Sequence, residues 1–166
     1  MAKRSIIALL VCLFLCLVTV LLPVEAQNNL GDVSFSFVEG KPHNLRSLNG
    51  KAYLLDLWTF FCDDCKSVIP FLNSMQEKYS KRGLVVLSLN IDSHPNFKMI
   101  EDYVRENKIR YRVGHLKSEE KNKFGTVRGV PTLFLVGQSG EIIARYFGWD
   151  GKTGPEVEKN LKNLLK

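Results

Sequence analysis

Residues 56–66 read Asp-Leu-Trp-Thr-Phe-Phe-Cys-Asp-Asp-Cys-Lys, in which a C-x-x-C pair follows the end of an apolar run. The apolar run from Ala52 to Trp58 predicts a buried strand, and a helical pattern follows directly. Cys62 therefore lies where the strand ends, and Cys65 lies within the first turn of a helix. Unpaired N–H groups at a helix N-terminus carry partial positive charge and favour a thiolate. A C-x-x-C pair in this position indicates a dithiol–disulfide redox centre.

The number and spacing of the cysteines favour redox chemistry over a structural role. Beyond residue 26 the chain contains only Cys62 and Cys65. A disulfide across so short a loop restricts the unfolded chain very little. Zinc needs about four ligands, whereas His43, His94 and His115 are isolated in the sequence, and the latter two are predicted to be surface residues. We therefore expect neither a metal nor a cofactor.

The N-terminus has the pattern of an export signal. Two basic residues precede the apolar stretch 6–22, and small residues stand at the positions of a cleavage site that ends at Ala26. The apolar stretch is at the short limit for crossing a bilayer, so an uncleaved membrane anchor is the alternative. We expect residues 1–26 to be a signal peptide or an anchor, and residues 27–166 to form one translocated domain.

The charge of the chain gives no indication of a nucleic-acid partner. The net charge is +6, but the basic residues are scattered, and the densest run is Lys121-Asn122-Lys123. Scattered basic residues are typical of a solvated surface. A hydrophobic content of 45% is ordinary for a globular protein with a core.

Strand-like and helical patterns alternate along the domain, which predicts an α/β fold. Near the C-terminus two strand-like runs flank a turn, and this hairpin adds antiparallel strands to give a mixed sheet. The predicted strands cover residues 33–38, 52–58, 84–91, 109–113, 131–136 and 141–147; the predicted helices cover 63–82, 96–107 and 117–124, and a terminal helix starts at Pro155.

These features resemble the thioredoxin superfamily over nearly all of the domain. The family's frame of Trp, two cysteines, Lys and Pro is present from Trp58 to Pro70, and residues 124–132 resemble the loop that carries its cis-proline, which would be Pro131. The resemblance implies a thioredoxin-like fold with a mixed central sheet flanked by helices. A hairpin near Gly40-Lys41-Pro42 and an inserted helix and strand at residues 96–113 (the inserted segment) are similar to the TlpA-like exported branch.

That branch contains membrane-tethered or periplasmic reductases, several of which serve cytochrome c maturation. The resemblance implies an exported thiol–disulfide oxidoreductase that reduces protein disulfides, in the bacterial periplasm or tethered to the outer face of the inner membrane. The implied partners are protein disulfides and a membrane or periplasmic electron donor. We expect a monomer, with anchoring through residues 6–22 as an alternative to cleavage.

The sequence departs from this branch between the cysteines, where Asp63 and Asp64 replace a frequent proline. Two carboxylates beside the thiols oppose thiolate formation, so they raise the thiol pKa relative to an uncharged pair. A less stabilised thiolate makes the reduced form less favoured, which predicts a reductant. The alternative is that both carboxylates are simply solvated residues at a helix start.

The resemblance also implies roles for individual residues. Cys62 would attack a substrate disulfide, and Cys65 would resolve the mixed disulfide. Asp56 occupies the position of the family's buried acid, a proton acceptor for the resolving cysteine. Ser88 stands where thioredoxin has the accompanying lysine, so the pKa of Asp56 should lie higher still. The alternative for Asp56 is a structural hydrogen bond.

Three residues are candidates for substrate binding. Trp58 is expected to pack beside the thiols and to offer an aromatic surface, with a plain core role as the alternative. Pro131 in cis would leave the backbone groups of Val130 free to pair with an extended substrate.

Two other functions stay open from the sequence. A thiol peroxidase is disfavoured because the peroxiredoxin frame P-x-x-x-T-x-x-C has Leu55 in place of its proline, although Thr59 and Cys62 match. A non-enzymatic thioredoxin-fold module, such as a metallochaperone, would use Cys62 and Cys65 only to hold a partner.

Overall fold

The computed structural model describes residues 29–38, 40–94 and 96–166, so the predicted leader at 1–26 lies outside the described residues. No helix in those three ranges is long and apolar enough to cross a membrane. The strands are β1 (Ser34–Ser36), β2 (Pro42–Asn44), β3 (Ala52–Trp58), β4 (Leu84–Asn90), β5 (Arg112–Leu116), β6 (Thr132–Gly137) and β7 (Ile142–Phe147); the α-helices are α1 (Asp63–Tyr79), α2 (Phe97–Glu106) and α3 (Thr153–Leu164); short 3-10 helices cover Leu45–Leu48, Ser80–Arg82 and Ser118–Phe124.

The strands form one mixed sheet in the order β2-β1-β5-β4-β3-β6-β7. Strands β3, β4 and β5 run parallel, whereas β6 is antiparallel to β3 and β7 is antiparallel to β6. The N-terminal hairpin pairs β1 with β2, and β1 joins the sheet through β5. The predicted mixed α/β sheet is confirmed, with β3 next to its centre.

Each face of the sheet carries its own apolar core, and β3 contributes to both because every residue of it is buried. Successive side chains of a strand point to opposite faces. Leu54 and Trp58 pack in the cluster that contains residues of α1, α2 and α3. Leu55 and Leu57 pack in the cluster on the other face. Asp56 alternates with these residues and therefore points to the α1 face, where Cys65 lies.

The structure corrects three details of the prediction. Strand β5 begins at Arg112, three residues later than predicted. His115 consequently lies within a strand and is only 6% exposed rather than a surface residue. Its burial is tolerated because its ring Nε2 lies 2.9 Å from the backbone oxygen of Asp92. Helix α3 begins at Thr153, so Pro155 is its third residue and not its first.

Candidate active site

The topology brings the cysteine loop and the proline loop to one edge of the sheet. Cys62 follows the carboxyl end of β3 by four residues. In the antiparallel pairing of β3 with β6, Leu57 lies opposite Thr132, the first residue of β6. Pro131 directly precedes Thr132, so it lies at the same edge as the loop that carries Cys62.

Cys62 and Cys65 form a disulfide at the start of α1, with their Cα atoms 5.4 Å apart. Cys62 is the N-cap residue of this helix, and its Sγ accepts a hydrogen bond of 3.1 Å from the N–H of Cys65. Cys65 is only 2% exposed, whereas Cys62 is half-buried. A partner can therefore reach the sulfur of Cys62, and the helix N-terminus favours its thiolate once the disulfide opens.

Hydrogen bonds from the end of β4 fix the loop before Cys62. The N–H of Phe60 donates to Oδ2 of Asp92 at 3.0 Å, and the amide of Asn90 donates to the same oxygen at 2.7 Å. His115 contacts the backbone oxygen of Asp92 from β5. Sequence reasoning missed this support, because Phe60 and His115 are far from Asp92 in the chain and no recognisable motif links them.

Asp56 is a buried carboxyl group with one hydrogen-bond partner. It is 4% exposed, and its Oδ2 accepts a hydrogen bond of 2.6 Å from the Ser88 hydroxyl. Its Oδ1 has no hydrogen-bond partner in the part of the chain that the structure describes. Burial raises the pKa of Asp56 to about 7, and the Ser88 hydrogen bond offsets this only in part. The raised pKa agrees with the prediction; a role as proton acceptor stays a prediction.

A small cavity connects this carboxyl group with the redox pair. The cavity has a volume of about 10 Å³, and Asp56, Cys65, Trp58 and Ser88 are among the residues that line it. Such a volume is close to the lower limit for one water molecule. The structure therefore brings Asp56 and Cys65 to one small cavity, as proton transfer between them requires.

The loop before β6 has the backbone geometry that the sequence predicts. The Val130–Pro131 peptide bond is cis. The carbonyl of Pro131 accepts a hydrogen bond of 2.9 Å from the N–H of Gly148, whereas Val130 makes no such backbone bond to any other described residue. A substrate-binding role for Val130 and Pro131 stays a prediction.

Comparison with known proteins places this geometry in a family. A family model for thioredoxin-like proteins matches residues 49–142, which is more than half of the chain. The chain belongs to the thioredoxin-like family. It is 26% identical over 144 residues to the thiol-disulfide oxidoreductase ResA of Bacillus thuringiensis, a match that covers 84% of the chain and 81% of the relative.

Solved structures agree with the thioredoxin-like fold. A Chlorobium tepidum protein described as a thiol:disulfide interchange protein DsbE superposes with a TM-score of 0.74 at 21% identity, covering 87% of this chain and 100% of that one. A second interchange protein of the same organism gives a TM-score of 0.68 at 23% identity and covers 86% and 100%. The predicted family resemblance is thus confirmed, and with the ResA match so is the predicted enzyme class, a thiol–disulfide oxidoreductase.

In this thioredoxin-like protein the exposed aromatic residue next to the cysteines is Phe61 and not Trp58. Trp58 is 2% exposed, and its ring stacks on Tyr103 of α2 with 4.3 Å between ring centroids. Phe60 covers the ring from another side at 5.2 Å. The surface role predicted for Trp58 is therefore wrong, because the inserted segment covers its face, and its core alternative applies. Phe61 is 95% exposed and directly precedes Cys62, a feature that sequence reasoning overlooked.

The two carboxylates between the cysteines point into solvent. Asp63 and Asp64 are exposed in the first turn of α1. Nζ of Lys66 lies 3.8 Å from an oxygen of Asp63, a distance at which two exposed groups attract only weakly. Water and this lysine both weaken the influence of the carboxylates on the thiols. The structure favours the interpretation that they are solvated residues at a helix start.

Proposed function

We propose that the protein is an exported reductase of protein disulfides that works through the Cys62–Cys65 dithiol. The observation that carries the proposal is the asymmetry of the pair: Cys62 is accessible at a helix N-terminus, while Cys65 is buried behind it. The name of the relative ResA, a thiol-disulfide oxidoreductase, supports the same chemistry. An accessible nucleophile, Cys62, and a buried resolving thiol, Cys65, suit a two-step exchange.

The exchange conserves electrons and atoms at each step. The Cys62 thiolate attacks one sulfur of the substrate disulfide, so that bond breaks, a mixed disulfide forms and the other substrate sulfur leaves as a thiolate. Cys65 then gives its proton to Asp56, and its thiolate attacks the sulfur of Cys62. The second substrate sulfur leaves, the substrate has gained two electrons, and the protein holds the disulfide seen here. A dithiol donor in the membrane or periplasm restores the reduced form.

The proposed setting follows from the N-terminal pattern and the resemblance to the TlpA-like branch. Residues 1–26 would direct export or anchor the chain, and residues 27–166 would act as a monomeric thioredoxin-like domain outside the inner membrane. Proteins of the periplasm are exposed to disulfide formation, so a reductase there has substrates. Cytochrome c maturation is the setting that this branch suggests.

Equilibration with glutathione tests the direction of electron flow. We expect a reduction potential closer to the value of about −270 mV for thioredoxin than to the value of about −120 mV for strongly oxidising relatives. Replacing both carboxylates, with Asp63→Asn and Asp64→Asn, removes negative charge beside the thiols and should raise the potential. Because both groups are exposed, the rise should be on the order of 10 mV.

Glu156→Gln provides the matched control, since Glu156 is an acidic residue in the first turn of α3, away from the cysteines. This variant should leave the potential unchanged. A wild-type potential near that of the strong oxidants would overturn the proposed reductase direction. A potential that does not rise in the double variant would show that Asp63 and Asp64 are irrelevant to it.

Phe61 is expected to contribute to substrate binding without affecting the redox chemistry. A Phe61→Ala variant should lower kcat/KM for reduction of a protein disulfide about tenfold, because burying an aromatic side chain against a partner is worth about 1.5 kcal/mol. Its reduction potential should match the wild type. Met99→Ala removes another exposed apolar side chain, on α2, and should change neither quantity. Equal kcat/KM for Phe61→Ala and wild type would contradict the prediction.

A further inference from the structure

The inserted segment forms one wall of the cavity beside Asp56, the Asp56 cavity. Tyr103, Ile109 and Tyr111 line it from this segment, and Ile69 lines it from α1. Ile69 and Ile109 also line a larger open groove of about 740 Å³ between α1 and the inserted segment. These two isoleucines therefore lie between the small Asp56 cavity and the larger open groove.

The groove beyond this wall is basic, and we call it the basic groove. Among the described residues, its lining contains no acidic side chain, although Lys66, Arg105 and Arg110 form ion pairs with Asp63, Asp102 and Glu77 at or beyond its rim. Positive charge on that side favours the anionic form of the Asp56 carboxyl group if water reaches it from the groove. The cationic residues that line the basic groove are Lys66, Arg105, Lys108 and Arg110.

Ile109 is held in the wall by its two neighbours in the chain. The side chain of Asn73 on α1 donates to the carbonyl of Lys108 at 3.0 Å and accepts from the N–H of Arg110 at 2.7 Å. The N–H of Ile109 itself donates to the carbonyl of Val104 at 3.0 Å. This clamp fixes the half-buried Ile109 between the groove and the cavity.

Most of the remaining lining of the Asp56 cavity is buried. Toward the thiols, Trp58 and Cys65 are each 2% exposed. Across the sheet, Asp56 lies opposite Ser88 on β4 and Leu133 on β6, both buried. Tyr103 is the half-buried exception, and it stacks on Trp58. The wall formed by Ile69 and Ile109 is the side on which the large groove lies next to the cavity.

We propose that Ile109 is a positioning residue that separates the Asp56 cavity from the basic groove and so keeps the Asp56 carboxyl group poorly hydrated. The inference rests on the proposed function only in naming Cys65 as the source of the proton that Asp56 accepts. In the resolving step Asp56 takes the proton of Cys65. Afterwards the carboxyl group releases this proton to water, and the carboxylate is restored for the next cycle.

The titratable groups that face Asp56 bring no positive charge that could offset its burial. Cys65 faces it from α1, and Tyr103 and Tyr111 face it from the inserted segment. Burial raises the pKa of both tyrosines, so they stay neutral at physiological pH. No charged side chain other than Asp56 lines the cavity among the residues that the structure describes.

The cavity is polar enough to admit water once the wall opens. Oδ1 of Asp56 and Nε1 of Trp58 are buried and lack hydrogen-bond partners within the described ranges. A water molecule enters a buried site when such partners and sufficient room are present. Removing the side chain of Ile109 should provide that room and hydrate the carboxyl group.

The test compares Ile109→Ala with Val104→Ala in the oxidised protein. Val104 lines the basic groove but not the Asp56 cavity, so it is the matched control for loss of an apolar groove residue. The pKa of Asp56 is read from the carboxyl ¹³C resonance. We expect Ile109→Ala to lower it by about 1, because hydration reverses part of the burial effect. Val104→Ala should leave it unchanged, and Ile109→Val should give a smaller decrease.

Each outcome separates this inference from the proposed function. An unchanged pKa in folded Ile109→Ala, or an equal decrease in Val104→Ala, overturns the role of Ile109 even if disulfide reduction is normal. A decrease confined to the Ile109 variants supports it even if no protein disulfide is reduced. If Ile109→Ala fails to fold, the pKa of Asp56 in Ile109→Val decides: a decrease supports the inference, and an unchanged value overturns it. In the active Ile109→Ala protein, the pH profile of the resolving step should move to lower pH together with the pKa of Asp56.

Discussion

A Cys65→Ser variant is expected to accumulate as covalent complexes with its substrates. Cys62 keeps its accessible position at the helix N-terminus and still forms the mixed disulfide. The hydroxyl that replaces the buried Cys65 thiol cannot attack the bond. Resolution then depends on external thiol, which lacks the proximity of an intramolecular group, so turnover should fall at least about a hundredfold. Non-reducing electrophoresis and mass spectrometry of trapped partners measure this result.

The reciprocal variant is the control. Cys62→Ser removes the sulfur that partners can reach and should trap nothing, because the remaining Cys65 thiol is only 2% exposed. A binding module that uses the cysteines without exchange would yield no reducible complexes from Cys65→Ser either. A thiol peroxidase would instead consume peroxide at a rate competitive with disulfide exchange. Either result would overturn the proposed reductase.

Local patterns in the sequence were sufficient to predict the core of the site. Strand β3 and the start of α1 follow from one apolar run and the helical spacing after it, and these two elements already place Cys62 and Cys65. The burial of Asp56 follows from the same run, because every residue of β3 is buried. A signal of this kind lies within about twenty consecutive residues, where periodicity is informative.

Contacts between distant segments could not be predicted in this way. Trp58 is buried because Tyr103, 45 positions later in the chain, stacks on its ring. No local sequence pattern predicts that contact. His115 is buried because β5 begins later than its alternating pattern suggests and because Asp92 supplies a partner. The wall at Ile109 likewise depends on how the inserted segment packs on α1. These features arise from tertiary packing, which overrides local propensity.

Asp56→Asn is expected to make the oxidised protein more stable at alkaline pH. The folded state holds the pKa of Asp56 at about 7, against an ordinary value of 3.8. Between these values the folded protein binds more protons at this site than the unfolded chain, so stability falls as pH rises from about 4 to about 7. At 1.36 kcal/mol per pKa unit, the full effect is up to about 4 kcal/mol. Asparagine does not ionise and should escape this loss.

Urea unfolding of the oxidised protein at pH 4 and pH 8 measures the effect. The wild type should lose stability between the two values relative to the variant. At pH 4 most of this loss is still absent, because that pH lies close to the unfolded pKa of 3.8 and the folded state keeps Asp56 protonated. Cysteines do not contribute because the disulfide does not titrate. Equal pH dependence in both proteins would contradict the raised pKa of Asp56.

The same substitution should impair the resolving step, which would distinguish a catalytic carboxyl group from a structural one. Without a proton acceptor in the cavity, Cys65 must ionise unaided, so resolution of a preformed mixed disulfide should slow about 10²- to 10⁴-fold near pH 7. The rate in the variant should then rise steadily with pH, whereas the wild-type rate should level off above about pH 7, the pKa of Asp56. A variant that is more stable yet resolves as fast as the wild type, with the same pH profile, would leave Asp56 only a structural role. A more stable and slower variant would mean that the protein accepts a destabilising buried acid because the proton transfer requires it.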